Sequence, residues 1–325
     1  MNKVPCNTPV FSPPRWLRNP HLQTLWPTLF RKCNLKPDLT ERLETTDDDF
    51  VDLDWYQRGN RGLLVLSHGL EGDSRRPYML GMAAAALAHG WDVLAWNFRS
   101  CSGEMNRRPR FYHSGDSGDL DLVVCRALAD EAGYEKVALG GFSMGGNMTL
   151  VYLGEKGEGL DPRIAGAVLL SVPCDLAGSA QELAKRTNRF YMRNFMRELR
   201  AKMVLKHEIY PELINLKGVE SMRTFREFDD RFTAPLHGFR DAQDYWQRCS
   251  SRRFIERIRV PSLIINAADD PFLGPLSYPE KEVVLNPQVQ LEVSDHGGHV
   301  GFVGDDRDGM YWSEWRAMAF LSEFA

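Results

Sequence analysis

The chain reads as an α/β fold, a mostly parallel sheet covered by helices on both faces. Three observations carry that reading. Continuously apolar runs of strand length alternate with segments of helix length. Several of these runs end in glycine-rich turns. The stretch Gly140-Gly141-Phe142-Ser143-Met144-Gly145-Gly146 sets a serine between glycines directly after the apolar Lys136-Val137-Ala138-Leu139. A length of 325 residues suits about two domains, or a single large α/β domain carrying an insertion.

In chain order, residues 1–45 are rich in prolines and aromatics (Pro13, Pro14, Trp16, Pro20, Trp26, Pro27, Phe30) without steady periodicity. They are expected to form an irregular extension with one short helix that packs on the core, for instance over a sheet edge. Contact with a lipid surface is left open, although Lys and Arg are not gathered on one helical face. Phe50-Val51-Asp52-Leu53-Asp54-Trp55-Tyr56 alternates apolar and polar residues, the pattern of a half-buried antiparallel edge strand. Gly62 to Leu66 is continuously apolar, a strand buried on both faces, and runs into the turn Ser67-His68-Gly69-Leu70-Glu71-Gly72. A helix follows from Pro77 to His89, with proline at an early position and Gly90 just past its end.

Asp92 to Asn97 makes the next strand and Asp116 to Ala132 the next helix. Then come the strand before Ser143, a helix from Met144 to Leu153, and a strand at Ile164 to Leu170. From Asp175 to Arg257 the rhythm stops: charged, helix-favouring segments such as Ser179 to Leu205 predict a helical cap inserted into the fold. Core residues are therefore 46–174 and 258–325, and the cap is 175–257. The strand pattern resumes at Pro261 to Ile265 and Val289 to Val293, with a helix or turn near Leu276 to Val284 between them. Met310 to Phe324 closes the core as an amphipathic helix.

A net charge of -4 with dispersed Lys and Arg provides no field for nucleic acid, and Arg107-Arg108-Pro109-Arg110 and Arg252-Arg253 read as solvated surface. The cysteines, Cys6, Cys33, Cys101, Cys125, Cys174 and Cys249, are scattered. They form neither Cys-x-x-Cys pairs nor a metal-ligand spacing with histidine, and are expected to be free thiols. The N-terminus has no apolar signal core, and the most apolar stretch, Leu80 to Trp96, is broken by His89, Gly90 and Asp92. A cytoplasmic location follows as the expectation. Nothing in the sequence speaks to oligomeric state.

In open α/β sheets, ligands gather beyond the carboxyl ends of the strands. Three such ends hold reactive groups: Ser143, the pair Asp269-Asp270, and Asp295-His296-Gly297-Gly298-His299. A strand turning sharply into a helix strains its corner residue, and glycines on either side remove the clashes this would cause. The result is a nucleophile elbow, with Ser143 exposed at the corner. The order Ser, Asp, His is that of α/β-hydrolases, in which histidine deprotonates the serine and the carboxylate orients the imidazole. Asp270 is preferred over Asp269 because Pro271 holds the residue before it extended. His299 is preferred over His296 because Gly297 and Gly298 allow the loop to bring it over the serine, with Val300, Gly301 and Phe302 beneath. Oxyanion donors are expected from the backbone N–H of Met144 and, in the turn after the strand at 62–66, of Leu70. His68 is expected to be structural.

These motifs, together with Asn97-Phe98-Arg99-Ser100-Cys101-Ser102-Gly103, Asn266-Ala267-Ala268-Asp269-Asp270-Pro271, Gly297-Gly298-His299-Val300-Gly301-Phe302 and Arg18-Asn19-Pro20-His21-Leu22-Gln23-Thr24-Leu25, resemble the YheT-like branch of α/β-hydrolases. The likeness runs from about residue 12 to residue 320. It implies an α/β-hydrolase fold, carboxylesterase activity with lipases and alcohol acyltransferases among eukaryotic cousins, catalytic Ser143, Asp270 and His299, and no metal or organic cofactor. Ser100 departs from the glycine common after the arginine. The expected activity is cleavage of small or lipid-like carboxylic esters through an acyl-enzyme on Ser143. Transfer of the acyl group to an alcohol, or a non-catalytic binding role on the same fold, are the rivals.

Overall fold

The structure, a computed structural model, describes residues 11–304 and 309–324; Cys6 and the first ten residues of the N-terminal extension lie outside them. Eight strands form one sheet: β1 (Leu39–Glu44), β2 (Phe50–Tyr56), β3 (Gly62–Ser67), β4 (Trp91–Asn97), β5 (Lys136–Phe142), β6 (Ile164–Leu170), β7 (Ser262–Ala267) and β8 (Val289–Ser294). Their order is β1-β2-β4-β3-β5-β6-β7-β8. The two pairings that β2 makes are antiparallel, and every pairing from β4 to β8 is parallel.

Helices α1 (Pro20–Phe30), α2 (Pro77–Ala88), α3 (Ser117–Ala127), α4 (Met144–Lys156), α5 (Leu176–Leu183), α6 (Arg189–Ile209), α7 (Phe225–Phe228), α8 (Ala234–Leu236), α9 (Ala242–Cys249), α10 (Glu280–Leu285) and α11 (Trp312–Leu321) complete the fold. Because side chains alternate along a strand, the sheet feeds two cores. Leu63, Val65, Leu94, Leu139 and Leu169 pack toward α3, α4 and the helices between β6 and β7. Leu64, Leu66, Val93, Val168 and Leu263 pack toward α2 and α11. This is why the central strands read as unbroken apolar runs. Between β6 and β7 the chain forms helices α5 to α9 with a π-helical turn at Asp229–Thr233, and no strand among the described residues.

Several expectations are corrected. The N-terminal extension holds a strand, β1, besides its helix. β1 therefore takes the edge, and β2 lies inside the sheet with all seven residues buried. The polar members of β2 face ion pairs rather than water: Arg42 Nε donates to Asp52 at 2.8 Å, and Asp54 accepts from Ser74 Oγ at 2.7 Å and Arg75 Nε at 2.9 Å. The helix expected over Asp116–Ala132 stops at Ala127 and gives way to a 3-10 turn at Asp130–Ala132. The closing helix α11 is mostly buried rather than half solvated, with Arg316 bonded to Glu292 and Glu314 to Arg31. Arg110 is likewise not free surface, since it pairs with Asp47, Asp116 and Asp119. Arg252 pairs with Glu282. Cys33, Cys101, Cys125, Cys174 and Cys249 are free thiols. No helix among the described residues is long and apolar enough to cross a membrane.

Candidate active site

The sheet order fixes where a site can form. β3 has β4 on one side and β5 on the other, so the connections that follow β3 and β5 diverge and leave a crevice above their carboxyl ends. Ser143 stands there between β5 and α4, with φ 52° and ψ -118°. This region of backbone space is costly for any residue with a side chain, and it persists only where neighbours enforce it. The glycines are that enforcement. A Cβ on Gly141 would lie 2.7 Å from Gly145 O and Gly146 N, and one on Gly145 would run into the backbone carbonyls of Ser67 and His68. The strand, the helix start and the turn after β3 thus press together as only bare backbone can.

Three strand ends bring their side chains to one line. Ser143 Oγ lies 2.9 Å from His299 Nε2, and His299 Nδ1 lies 2.9 Å from Asp270 Oδ2 and 3.2 Å from Oδ1. The Phe272 N–H donates to Asp270 Oδ1 at 2.8 Å, and the Phe272 ring covers the His299 ring with centroids 4.2 Å apart. Burial pushes the Asp270 carboxyl above its ordinary range, opposed by the attraction and hydrogen bond of His299. The neighbouring Asp269 and His296 form a pair of their own, 3.2 Å apart, and Asp269 also accepts the Gly298 N–H at 2.9 Å.

The turn after β3 lies against the serine: a Cβ on Gly69 would sit 3.4 Å from Ser143 Cβ. Its amides are distributed in a definite way. The Gly69 N–H donates to Tyr78 Oη at 3.0 Å and the Glu71 N–H to Tyr112 Oη at 3.1 Å. Leu70, between them, and Met144, first residue of α4, border the same space as Ser143 and His299. His68 is structural, as expected. It bonds the Gly69 carbonyl through Nδ1, and its Nε2 accepts the Phe98 N–H at 3.1 Å. Complete burial lowers its pKa to about 3 and keeps it neutral.

Ser143 separates two spaces. On one side is a cavity with about 770 Å³ not filled by protein atoms, open mouth included, and walled by residues from the segment between β6 and β7 such as Leu183, Phe195, Leu199, Phe228 and Trp246. On the other is a more polar groove bordered by Thr24, Thr28, Arg76, Asn194 and Glu198. Asp229 closes part of the apolar cavity. It accepts from Thr233 Oγ1 at 2.6 Å and Trp246 Nε1 at 2.8 Å, and burial pushes its carboxyl up to about 7. Among the described residues, no group of three or more His, Cys, Asp or Glu side chains is placed to hold a metal ion.

Sequence reasoning passed over the supports of the histidine loop. Asn19 caps α1 by accepting the His21 and Leu22 N–H groups, and Pro20 occupies the first helical position. So placed, α1 presents Thr24, whose Oγ1 accepts the His299 N–H at 2.9 Å, and Gln23, whose amide exchanges two hydrogen bonds of 2.8 Å with the backbone of Val303. Both residues lie inside the quoted Arg18 to Leu25 motif, which was the available signal. Glu71 lies in the Ser67 to Gly72 turn, but its partner Lys202 is distant in sequence; Tyr112 and Asp229 lie in no such motif. Ser100 has φ 63°, a conformation that favours glycine.

Comparison with known proteins agrees with this architecture. A family model described as the alpha/beta hydrolase fold matches residues 62–306. The chain is 42% identical to YheT of Escherichia coli (strain K12), by its name a candidate esterase, over 90% of this chain and 87% of that protein. It is 31% identical to phospholipase ABHD3 of Mus musculus, over 81% of this chain and 66% of that one. It is 30% identical to a monoacylglycerol lipase of Saccharomyces cerevisiae, over 81% and 59% respectively. Among solved structures, the Pyrococcus furiosus esterase PF2001 superposes with a TM-score of 0.60 at 18% identity, covering 88% of this chain and 90% of that one. That last likeness concerns the fold.

Proposed function

Because the chain belongs to the YheT-like branch of the alpha/beta hydrolase fold family, we propose that it is a serine hydrolase that cleaves carboxylic esters through an acyl-enzyme on Ser143. The observation that carries the reading is the unbroken hydrogen-bonded line Asp270, His299, Ser143 at the mouth of an apolar cavity. Esterase and lipase names among the relatives point the same way.

Ser143 Oγ attacks the ester carbonyl carbon while His299 Nε2 takes its proton, and Asp270 holds the imidazole and stabilises its cation. The carbonyl π electrons move onto oxygen, and the N–H groups of Leu70 and Met144 receive that charge. As the C–O bond breaks, His299 returns the proton to the departing alcohol. Water then repeats the cycle on the acyl-enzyme and releases the acid. The cap, residues 175–257, supplies most of the cavity wall and shapes the acyl pocket, which suits a short to medium or lipid-like acyl chain. The alcohol leaves on the side of the polar groove.

The test is covalent. A fluorophosphonate should label Ser143, as read by mass spectrometry, and Ser143→Ala should abolish turnover of p-nitrophenyl esters while leaving the fold intact. Folded protein that takes no label at Ser143 would overturn the reading.

A further inference from the structure

The residue after Leu70 is tied to the cap. Glu71 has φ 52°, a conformation that a side chain disfavours. Its backbone N–H donates to Tyr112 Oη at 3.1 Å, and its carboxylate accepts from that same hydroxyl. Its Oε1 also accepts from Lys202 Nζ at 2.6 Å. Lys202 comes from α6, in the cap, and its ammonium lies 3.6 Å from Cys101 Sγ and 4.7 Å from the centre of the Tyr112 ring.

The Lys202 and Glu71 side chains are only 6% and 8% exposed. A pair so removed from water gains little for general stability, since desolvation offsets the attraction. The cap is fixed to the core elsewhere: Asn147 Nδ2 donates to Cys249 O at 2.8 Å, and Tyr245 Oη to Ser114 Oγ at 2.7 Å. The ion pair therefore stands where cap anchoring does not need it and where the turn carrying Leu70 does.

We infer that Lys202 and Glu71 are positioning residues, a strut from the cap that holds the Leu70 N–H in line for the oxyanion, so that the oxyanion site is complete only with the cap seated. This rests on the serine-hydrolase reading above.

The experiment compares the wild type with Lys202→Met, Lys202→Arg and the double variant Glu71→Gln/Lys202→Met. Each is assayed for kcat and KM on p-nitrophenyl butyrate, for its fluorophosphonate labelling rate, and for folding by circular dichroism and thermal unfolding. Lys202→Met should keep KM within about twofold and lose about tenfold to a hundredfold in kcat, at or below the lower end of what outright loss of one oxyanion donor costs, because the donor is displaced rather than removed. Labelling should slow by a similar factor, because phosphonylation builds charge on the same oxygen. Lys202→Arg, which keeps the cation, should recover part of the rate. The double variant strands no buried charge, should fold like the wild type, and should still lose about tenfold in kcat. Wild-type kcat in the folded double variant overturns the inference, as does a loss that tracks KM or the folded fraction. Absence of label on wild-type Ser143 would instead overturn the hydrolase reading itself.

Discussion

The loops after β7 and β8 build two acid–histidine pairs side by side, Asp270 with His299 and Asp269 with His296. The residue types are the same and the positions nearly so, yet the surroundings differ. Asp270 and His299 side chains are 0% and 10% exposed and reach Ser143, whereas Asp269 and His296 are 17% and 34% exposed. Asp269 spends its second oxygen on the Gly298 N–H, pinning a turn in which Gly297 and Gly298 have φ of 155° and 57°. One pair is aimed at Ser143, and the other clips the loop that does the aiming. Chemical role here follows from burial and direction rather than from the identity of the groups.

The strongest way to break this comparison is to ask whether the outer pair can stand in for the inner one. His299→Ala should lower kcat/KM for p-nitrophenyl esters by about 10⁴-fold or more, with His296 giving no relief, and Asp270→Asn by about 10³- to 10⁴-fold because the wrong tautomer of His299 faces the serine. Steady-state kinetics on folded protein decide it, and residual activity that disappears on further removal of His296 would show the roles to be interchangeable.

Asp229 sharpens the same point, being a buried carboxylate with no cation against it among the described residues. Its pKa, raised to about 7 by burial, lies above the unfolded value, so between roughly pH 4 and 7 the folded state binds the extra proton. Its contribution to stability is therefore full below about pH 4 and is lost as pH rises through about 7. Asp229→Asn keeps an acceptor for Trp246 and a donor for Thr233 Oγ1. It should flatten that decline and raise stability at pH 8 by roughly 1–3 kcal/mol, measured by denaturant unfolding across pH.

The smallest effects belong to the outer pair. His296→Ala should leave kcat/KM within about threefold. Asp269→Ala, which strands the Gly298 N–H, should lower stability by about 1 kcal/mol, seen as a shift in the urea midpoint at unchanged m.

Much of this was legible because its signals are local. β3, β5, β6 and β7 are buried on both faces and so read as apolar runs, and the strained corner at Ser143 required glycines that stand beside it in sequence. Pro271 and the Gly297-Gly298 pair marked Asp270 and His299 over their neighbours, and the geometry aims those two at the serine. β1 was missed because Leu39-Thr40-Glu41-Arg42-Leu43-Glu44 has no fully buried residue; it exists through its ladder with β2 and the Arg42–Asp52 pair. β2 was mistaken for an edge because Asp52 and Asp54 look like a solvent face until Arg42 and Arg75 are placed over them. Lys202 and Glu71 are 131 residues apart, and no spacing rule connects a cap helix to a turn beyond the sheet.

The grip of Gln23 on Val303 and of Thr24 on His299 also has a temporal side. A ribosome makes α1 some 280 residues before the loop it holds, and Ser143 emerges between them. On the proposed mechanism, a growing chain displays its nucleophile long before the base that activates it has been translated, and that base finds its pose only when the loop folds back onto α1. The enzyme would thus be chemically idle throughout its own synthesis, with activity switched on by the meeting of its early and late segments.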